Sequence, residues 1–271
     1  MRSFIGLVVL TASVFASPSL VAQWDTRLPP GVPRNEKGEP DLNGPVPRTA
    51  DGKPDLSGVW QGGGNTFGGG QAPAAEPPSG PPVAGFRDVA QNIKEGLPLK
   101  PEGVALLNVR KEGNSKDNPE AHCLPMGIIQ FHTQGAPRKF IQTPGLLVIL
   151  YEASSGLRQI FTDGRAFPTN DPQPWWYGYS VGKWEGDRLV VETTGLRDGG
   201  WLDIIGNPLS DAAKLTERFR RVSYGRMEID ITVEDAKLYT RPWTVRVNQR
   251  IMPDQELIEF ICLENQRFGP Q

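Results

Sequence analysis

The sequence predicts a mostly-β protein: an antiparallel up-and-down meander closing into a barrel, behind a Pro/Gly-rich N-terminal arm and with one or two short helices. Three observations carry this expectation. In residues 226–233, Met227, Ile229, Ile231 and Val233 alternate with Arg226, Glu228, Asp230 and Thr232, a period of two that places one face in a core and one in water. Residues 175–196, WWYGYSVGKWEGDRLVVETTGL, run aromatics through Glu185-Gly186-Asp187 into a β-branched run, which reads as a hairpin with a large apolar face. Beyond Gly145 such hairpins follow one another without helical segments between them. Closure into a barrel is the simplest way for that meander to avoid exposed edges.

Residues 1–22 have Arg2, an apolar run over 4–16 and small residues up to Ala22, the pattern of a cleaved secretory signal peptide. Ser17-Pro18 interrupts the run before it reaches the ~20 apolar residues of a membrane span. The expectation is therefore an exported protein, periplasmic or extracellular, with no transmembrane span after cleavage. Residues 23–54 form an extended arm, and 62–82 a Gly/Pro-rich insertion too poor in apolar side chains to pack, which should be flexible. Within the arm, Gly38-Glu39-Pro40-Asp41-Leu42-Asn43-Gly44 is echoed by Gly52-Lys53-Pro54-Asp55-Leu56-Ser57-Gly58. Pro presets φ, Asp bonds its own backbone and Gly accepts positive φ, so both copies are turns. They either lay the arm along the domain or serve as duplicated interaction loops, the basis of a reading as an envelope-associated module.

A single β domain is expected over residues 55–266, with a tail at 267–271. Val59-Trp60-Gln61 opens it as a first strand. Weak helical patterns lie at 86–93 and 101–109. The run LLVILY at 146–151 suits a strand buried on both faces. Strands at 157–162, 177–184, 188–194, 215–222, 226–233, 242–251 and 257–263 follow, separated by Gly-, Asp- and Pro-containing turns.

The charge balance is nearly neutral, 29 bases against 31 acids, with the signs mixed. Nucleic-acid binding leaves a basic stripe and none is present. The two cysteines, Cys123 and Cys262, are far apart. In an oxidising compartment they would bond, tying the start of the ordered region to the last strand. Two buried thiols are the alternative, because Cys262 alternates in phase with Ile258 and Phe260.

Candidate chemistry is sparse. His122, His132 and Cys123 match no zinc-ligand spacing, so no metal is expected. Gly178-Tyr179-Ser180-Val181-Gly182 has the letters of a nucleophile elbow, but Trp184 and a turn stand where its helix should begin. No phosphate-binding glycine motif follows a strand, so no cofactor is expected. Asp163, Glu185 and Asp187 read as solvated turn acids. Glu217 shares a strand face with Leu215 and Phe219, and Glu192 shares one with Val190 and Thr194. A carboxylate in an apolar row is either ion-paired or raised in pKa, and a raised one can act as a general acid. Arg158, on another strand, is the charge that would face it. Trp176, Tyr179, Trp201 and Trp243 are the candidate lining of a small-molecule pocket; closure of a barrel end by tryptophan is the alternative. The leading expectation is a barrel that binds a small, partly apolar molecule, with Arg158 and Glu217 fixing its polar end. A cofactor-independent lyase, isomerase or hydrolase using Glu217 or Glu192 with Arg158 is the other.

Five segments, Cys123-Leu124-Pro125, FTDGR at 161–165, GYSVGKWEGDRLVVET, TERFRR and YTRPWTV, resemble a family of exported, signal-peptide-bearing bacterial proteins with a Trp-Glu-Gly-Asp block. The resemblance spans residues 51–266. It implies architecture and export and assigns no catalytic residue. More loosely, Asp55-Leu56-Ser57-Gly58-Val59-Trp60 is similar to the opening Gly-x-Trp strand of lipocalin and calycin barrels. That likeness implies a calycin-like barrel in which Arg267 packs on Trp60. The long gap between Trp60 and residue 146 departs from the compact strand order of those barrels.

Overall fold

In the computed structural model, which describes residues 28–62, 80–170 and 174–262, nine strands close into a barrel. The chain forms β1 (Gly58–Gly62), α1 (Pro101–Glu112), α2 (Ile128–Thr133), β2 (Arg138–Thr143), β3 (Leu146–Tyr151), β4 (Gly156–Phe161), β5 (Tyr179–Glu185), β6 (Arg188–Thr194), β7 (Gly200–Trp201), β8 (Pro208–Leu209), β9 (Lys214–Arg221), β10 (Arg226–Glu234) and β11 (Trp243–Ile251). The order around the barrel is β1-β11-β10-β9-β6-β5-β4-β3-β2, with β7 and β8 forming a separate pair. The proposed signal peptide, most of the 62–82 insertion and Arg267 lie outside the described residues.

The barrel is mixed rather than wholly antiparallel. Strand directions cannot alternate all the way round a ring of nine, so at least one pair must be parallel. That pair is β4–β5, in register Ile160↔Ser180 and Phe161↔Val181. A parallel neighbour needs a long return connection, and residues 162–178 supply it. The tail also differs from expectation. Residues 257–262 are irregular, because β11 already pairs with β10 on one edge and β1 on the other, leaving no free edge for a further strand. Residues 86–93 are successive turns, in which the Asp88 carboxylate takes the Ala90 N–H at 2.8 Å, the local competition that breaks short helices. The LLVILY strand alternates: Leu147, Ile149 and Tyr151 face inward and the intervening residues are half-buried.

Inward-facing Trp60, Phe140, Leu147, Ile149, Ile160, Leu189, Val191, Phe219, Ile229 and Val247 fill much of the barrel. Helix α2 closes one end. Ile128, Ile129, Gln130, Phe131 and His132 are all buried, as expected of a helix with no solvent face. Its N-terminus packs so closely that a Cβ on Gly127 would lie 2.0 Å from the Trp201 carbonyl oxygen. At its C-terminus, Arg138 donates to the carbonyls of His132 (2.8 Å), Gln134 (2.7 Å) and Ala136 (2.7 Å), and Gln249 Nε2 donates to His132 O at 2.8 Å. These side chains satisfy carbonyls that a helix end leaves without partners. Cys123, just before α2, is disulfide-bonded to Cys262 with the Cα atoms 5.7 Å apart. The bond ties the α2 approach to the segment after β11, not to a last strand.

The repeated arm segments fold as two equivalent turns. Asp41 N–H donates to Pro33 O and Asp55 N–H to Pro47 O, while Gly38 N–H and Gly52 N–H donate to Asn35 O and Thr49 O. Leu42 of the first copy covers the β9–β10 turn, where Gly225 N–H donates to its carbonyl at 2.8 Å. Leu56 of the second is fully buried. Arg48 grips Asp187 at the β5–β6 tip through two bonds of 2.9 and 2.8 Å, so the Trp-Glu-Gly-Asp turn anchors the arm. The guanidinium over Trp60 is Arg221, 4.9 Å from the ring, which also donates to Asp55 O at 2.5 Å.

Candidate functional site

A polar layer crosses the barrel beneath α2. Glu217 and Arg158, 0 and 2 % exposed, project inward because each shares its strand phase with apolar core residues. Arg158 Nη1 donates to Glu217 Oε1 at 2.9 Å, and Nη2 bonds Oε2. Arg158 also donates to Thr193 Oγ1 at 2.9 Å and to Ser180 Oγ at 3.1 Å, and these hydroxyls are 2.9 Å apart. The guanidinium is thus saturated by groups on β5, β6 and β9. Burial pushes the Glu217 pKa up, but the charge of Arg158 and the contacts with His132 and Arg158 outweigh it and hold the carboxyl down to about 2. Burial opposes the Arg158 charge, and Glu217 more than restores it. A carboxylate so held is ionised and is no general acid at neutral pH.

His132 enters the layer from α2. Its Nε2 faces Glu217 Oε1 at 3.4 Å, and Nδ1 has no hydrogen-bond partner. Burial, with added repulsion from Arg138 and Arg158, lowers its pKa despite Glu217, so the ring is neutral at pH 7. Tyr151 and Arg138 stand directly opposite each other across β3 and β2. The Tyr151 hydroxyl, beside the Arg158 guanidinium, and Arg138 Nε are buried without an acceptor. Burial pushes the Tyr151 pKa up to about 12. The His132 and Tyr151 rings meet edge-on at 5.9 Å, and Phe131 stacks on Tyr151 at 4.3 Å.

The aromatic candidates do not line one cavity. Trp176 and Trp201 share a small apolar pocket with Met126, Ile128, Leu209 and Leu215; its volume is about 20 Å³, room for about one water molecule. Tyr179 lies on the outer side of β5, stacked on Phe161 at 5.2 Å, because Ser180 takes the inward phase. Trp243 is buried against Tyr239 at 5.6 Å and does not reach that pocket. Glu192 also points outward. It is half-exposed in an ion pair with Lys214, since Val191 and Thr193 hold the inward phase of β6.

The sequence joins Arg158 to Glu217, offers His132 only as a rejected metal ligand, and gives no place to Tyr151 and Arg138. Tyr151 was legible from its phase with Ile149. Arg138 was not, because RKFIQT carries too little alternation to announce a strand. The site and fold together define a closed nine-stranded barrel with a buried ion pair and a helical cap. No protein-family model, curated protein or solved structure matches this chain. Among the described residues no group of three or more His, Cys, Asp or Glu could hold a metal ion, and no helix is long and apolar enough to cross a membrane.

Proposed function

We propose that this chain is an exported barrel protein that binds a small, partly apolar molecule at the α2-capped end. One observation carries the reading: the pocket between α2, Trp176 and Trp201 has Leu215 in its wall, two residues along β9 from Glu217. An apolar entrance next to a few polar groups is the usual form of a small-molecule site. Its present volume requires α2 or the Trp176 side chain to move when a ligand enters. The disulfide supports export, since such bonds persist in oxidising compartments.

Intrinsic fluorescence titrations with fatty acids, phenolics and terpenoids test the reading. Saturable quenching or a blue shift is expected, reduced in Trp176→Leu and Trp201→Leu. No response to any class would overturn it.

A second reading, cofactor-independent lyase, isomerase or hydrolase chemistry, is favoured by the contact of Glu217 with His132. A carboxylate that orients one ring nitrogen leaves the other as an acceptor for a substrate proton. This moves the base from Glu217 to His132. Mass spectrometry of a ligand incubated with stoichiometric protein checks it, and recovery of the unchanged ligand removes it.

A further inference from the structure

We infer that the α2-capped end of the barrel is a site for a small organic carboxylate, whose charge is taken up by Arg138 and whose oxygens accept from Arg138 and Tyr151. This rests on the small-molecule reading above and names the ligand's polar end. It also moves the anchor away from Arg158 and Glu217, which already satisfy each other.

Arg158 and Glu217 cancel, and His132 is neutral. Arg138 is a second guanidinium with 0 % exposure. Its hydrogen-bond acceptors are three backbone carbonyls and the Gln249 side-chain oxygen at 2.8 Å, all of them uncharged. Burial lowers its pKa to about 10, which still leaves it protonated at pH 7. The group of Arg138, Arg158, Glu217 and His132 therefore carries one positive charge without a counter-ion, a costly arrangement.

Arg138 Nε–H and the Tyr151 hydroxyl are donors buried without an acceptor, and the His132 ring beside them leaves Nδ1 without a partner. Unsatisfied buried groups are rare, and each costs about 1–3 kcal/mol. These three are neighbours. Arg138 faces Tyr151 across the β2–β3 ladder, and Tyr151 meets the His132 ring. Their free donors and the excess charge coincide in one corner of the barrel, and a carboxylate answers both. A neutral ligand would satisfy the donors and leave the charge. A dianion would overcompensate it and meet the ionised Glu217.

Calorimetric and thermal-shift titrations of the full mature chain at constant ionic strength test the assignment, with acetate and benzoate as probes and acetamide, benzamide and chloride as controls. Saturable binding of a carboxylate about tenfold tighter than its amide is expected, the effect of one charge-assisted bond. Tyr151→Phe removes a hydroxyl whose proton has no acceptor and leaves Arg158 its bonds to Glu217, Ser180 and Thr193, so the fold should survive while carboxylate affinity falls several-fold. Arg138→Lys should keep the charge yet weaken binding, and loss of α2 anchoring would show separately as a lower Tm. Equal affinity for carboxylate and amide, an unchanged affinity in Tyr151→Phe, or chloride binding as tightly as acetate would overturn the assignment. A fluorescence response to neutral apolar probes with no carboxylate preference would overturn the anion site alone and leave the small-molecule reading standing.

Discussion

Replacing Glu217 with Gln leaves the Arg158 guanidinium buried opposite a neutral amide. The expected loss is about 3–5 kcal/mol, the usual consequence of breaking a buried pair from one side. Denaturant unfolding checks this, and Arg158→Met combined with Glu217→Gln should recover part of the loss, because the pair's desolvation disappears with its attraction. The same residues set a pH dependence. Glu217 has a folded pKa below its unfolded value, so its stabilisation is present above the ordinary carboxylate range and is lost as pH falls toward about 2. His132 is also depressed when folded; the unfolded chain binds the extra proton, so stability already declines as pH drops through the ordinary histidine range near 6.5. Unfolding free energies between pH 7 and 3 should fall in two stages, and His132→Asn should flatten the first. A flat profile above pH 5 in the parent protein would contradict the neutral buried ring.

At the level of elements, α2 and its tethers carry the most weight. Six residues make a helix too short to persist alone, and this one is held by Arg138, Gln249 and the disulfide upstream. The Cys123–Cys262 bond closes a loop of 139 residues, which on the chain-entropy model is worth about 5 kcal/mol. A Cys123→Ser/Cys262→Ser variant should lose a substantial part of that in equilibrium unfolding, and an unchanged midpoint would mean that the tether is redundant. The arm repeats make a contrasting pair. Leu56→Ala deletes a fully buried side chain and should cost about 2–5 kcal/mol. Leu42→Ala, in the equivalent but only partly buried position, should cost distinctly less. Equal losses by thermal or denaturant unfolding would show that both turns bear on the barrel alike.

Over the whole molecule, what was legible follows from how local each signal is. The strands at 188–194, 226–233 and 242–251 were readable to within a residue, because period-two alternation is written in neighbouring side chains and needs no partner to be seen. Burial of Glu217 and its pairing with Arg158 were legible for the same reason, as charged residues in apolar phase must meet a counter-charge. By contrast, closure was expected, but the ring of nine strands and its one parallel pair were not readable. Closure depends on which distant edges pair, and β1 and β11 meet across nearly the whole domain. Closure of nine strands requires a parallel pair, here β4–β5, and leaves no edge for a strand in the described residues 257–262. The site divides along the same line. The sequence by itself determined a β barrel core, its turns and a charged pair on facing strands. Only the tertiary structure decided that α2 fills the barrel end, that Glu192, Tyr179 and Trp243 lie outside the site, and that Arg138, Tyr151 and His132 converge with unmet charge and donors. These last facts depend on long-range packing, and no local period records them.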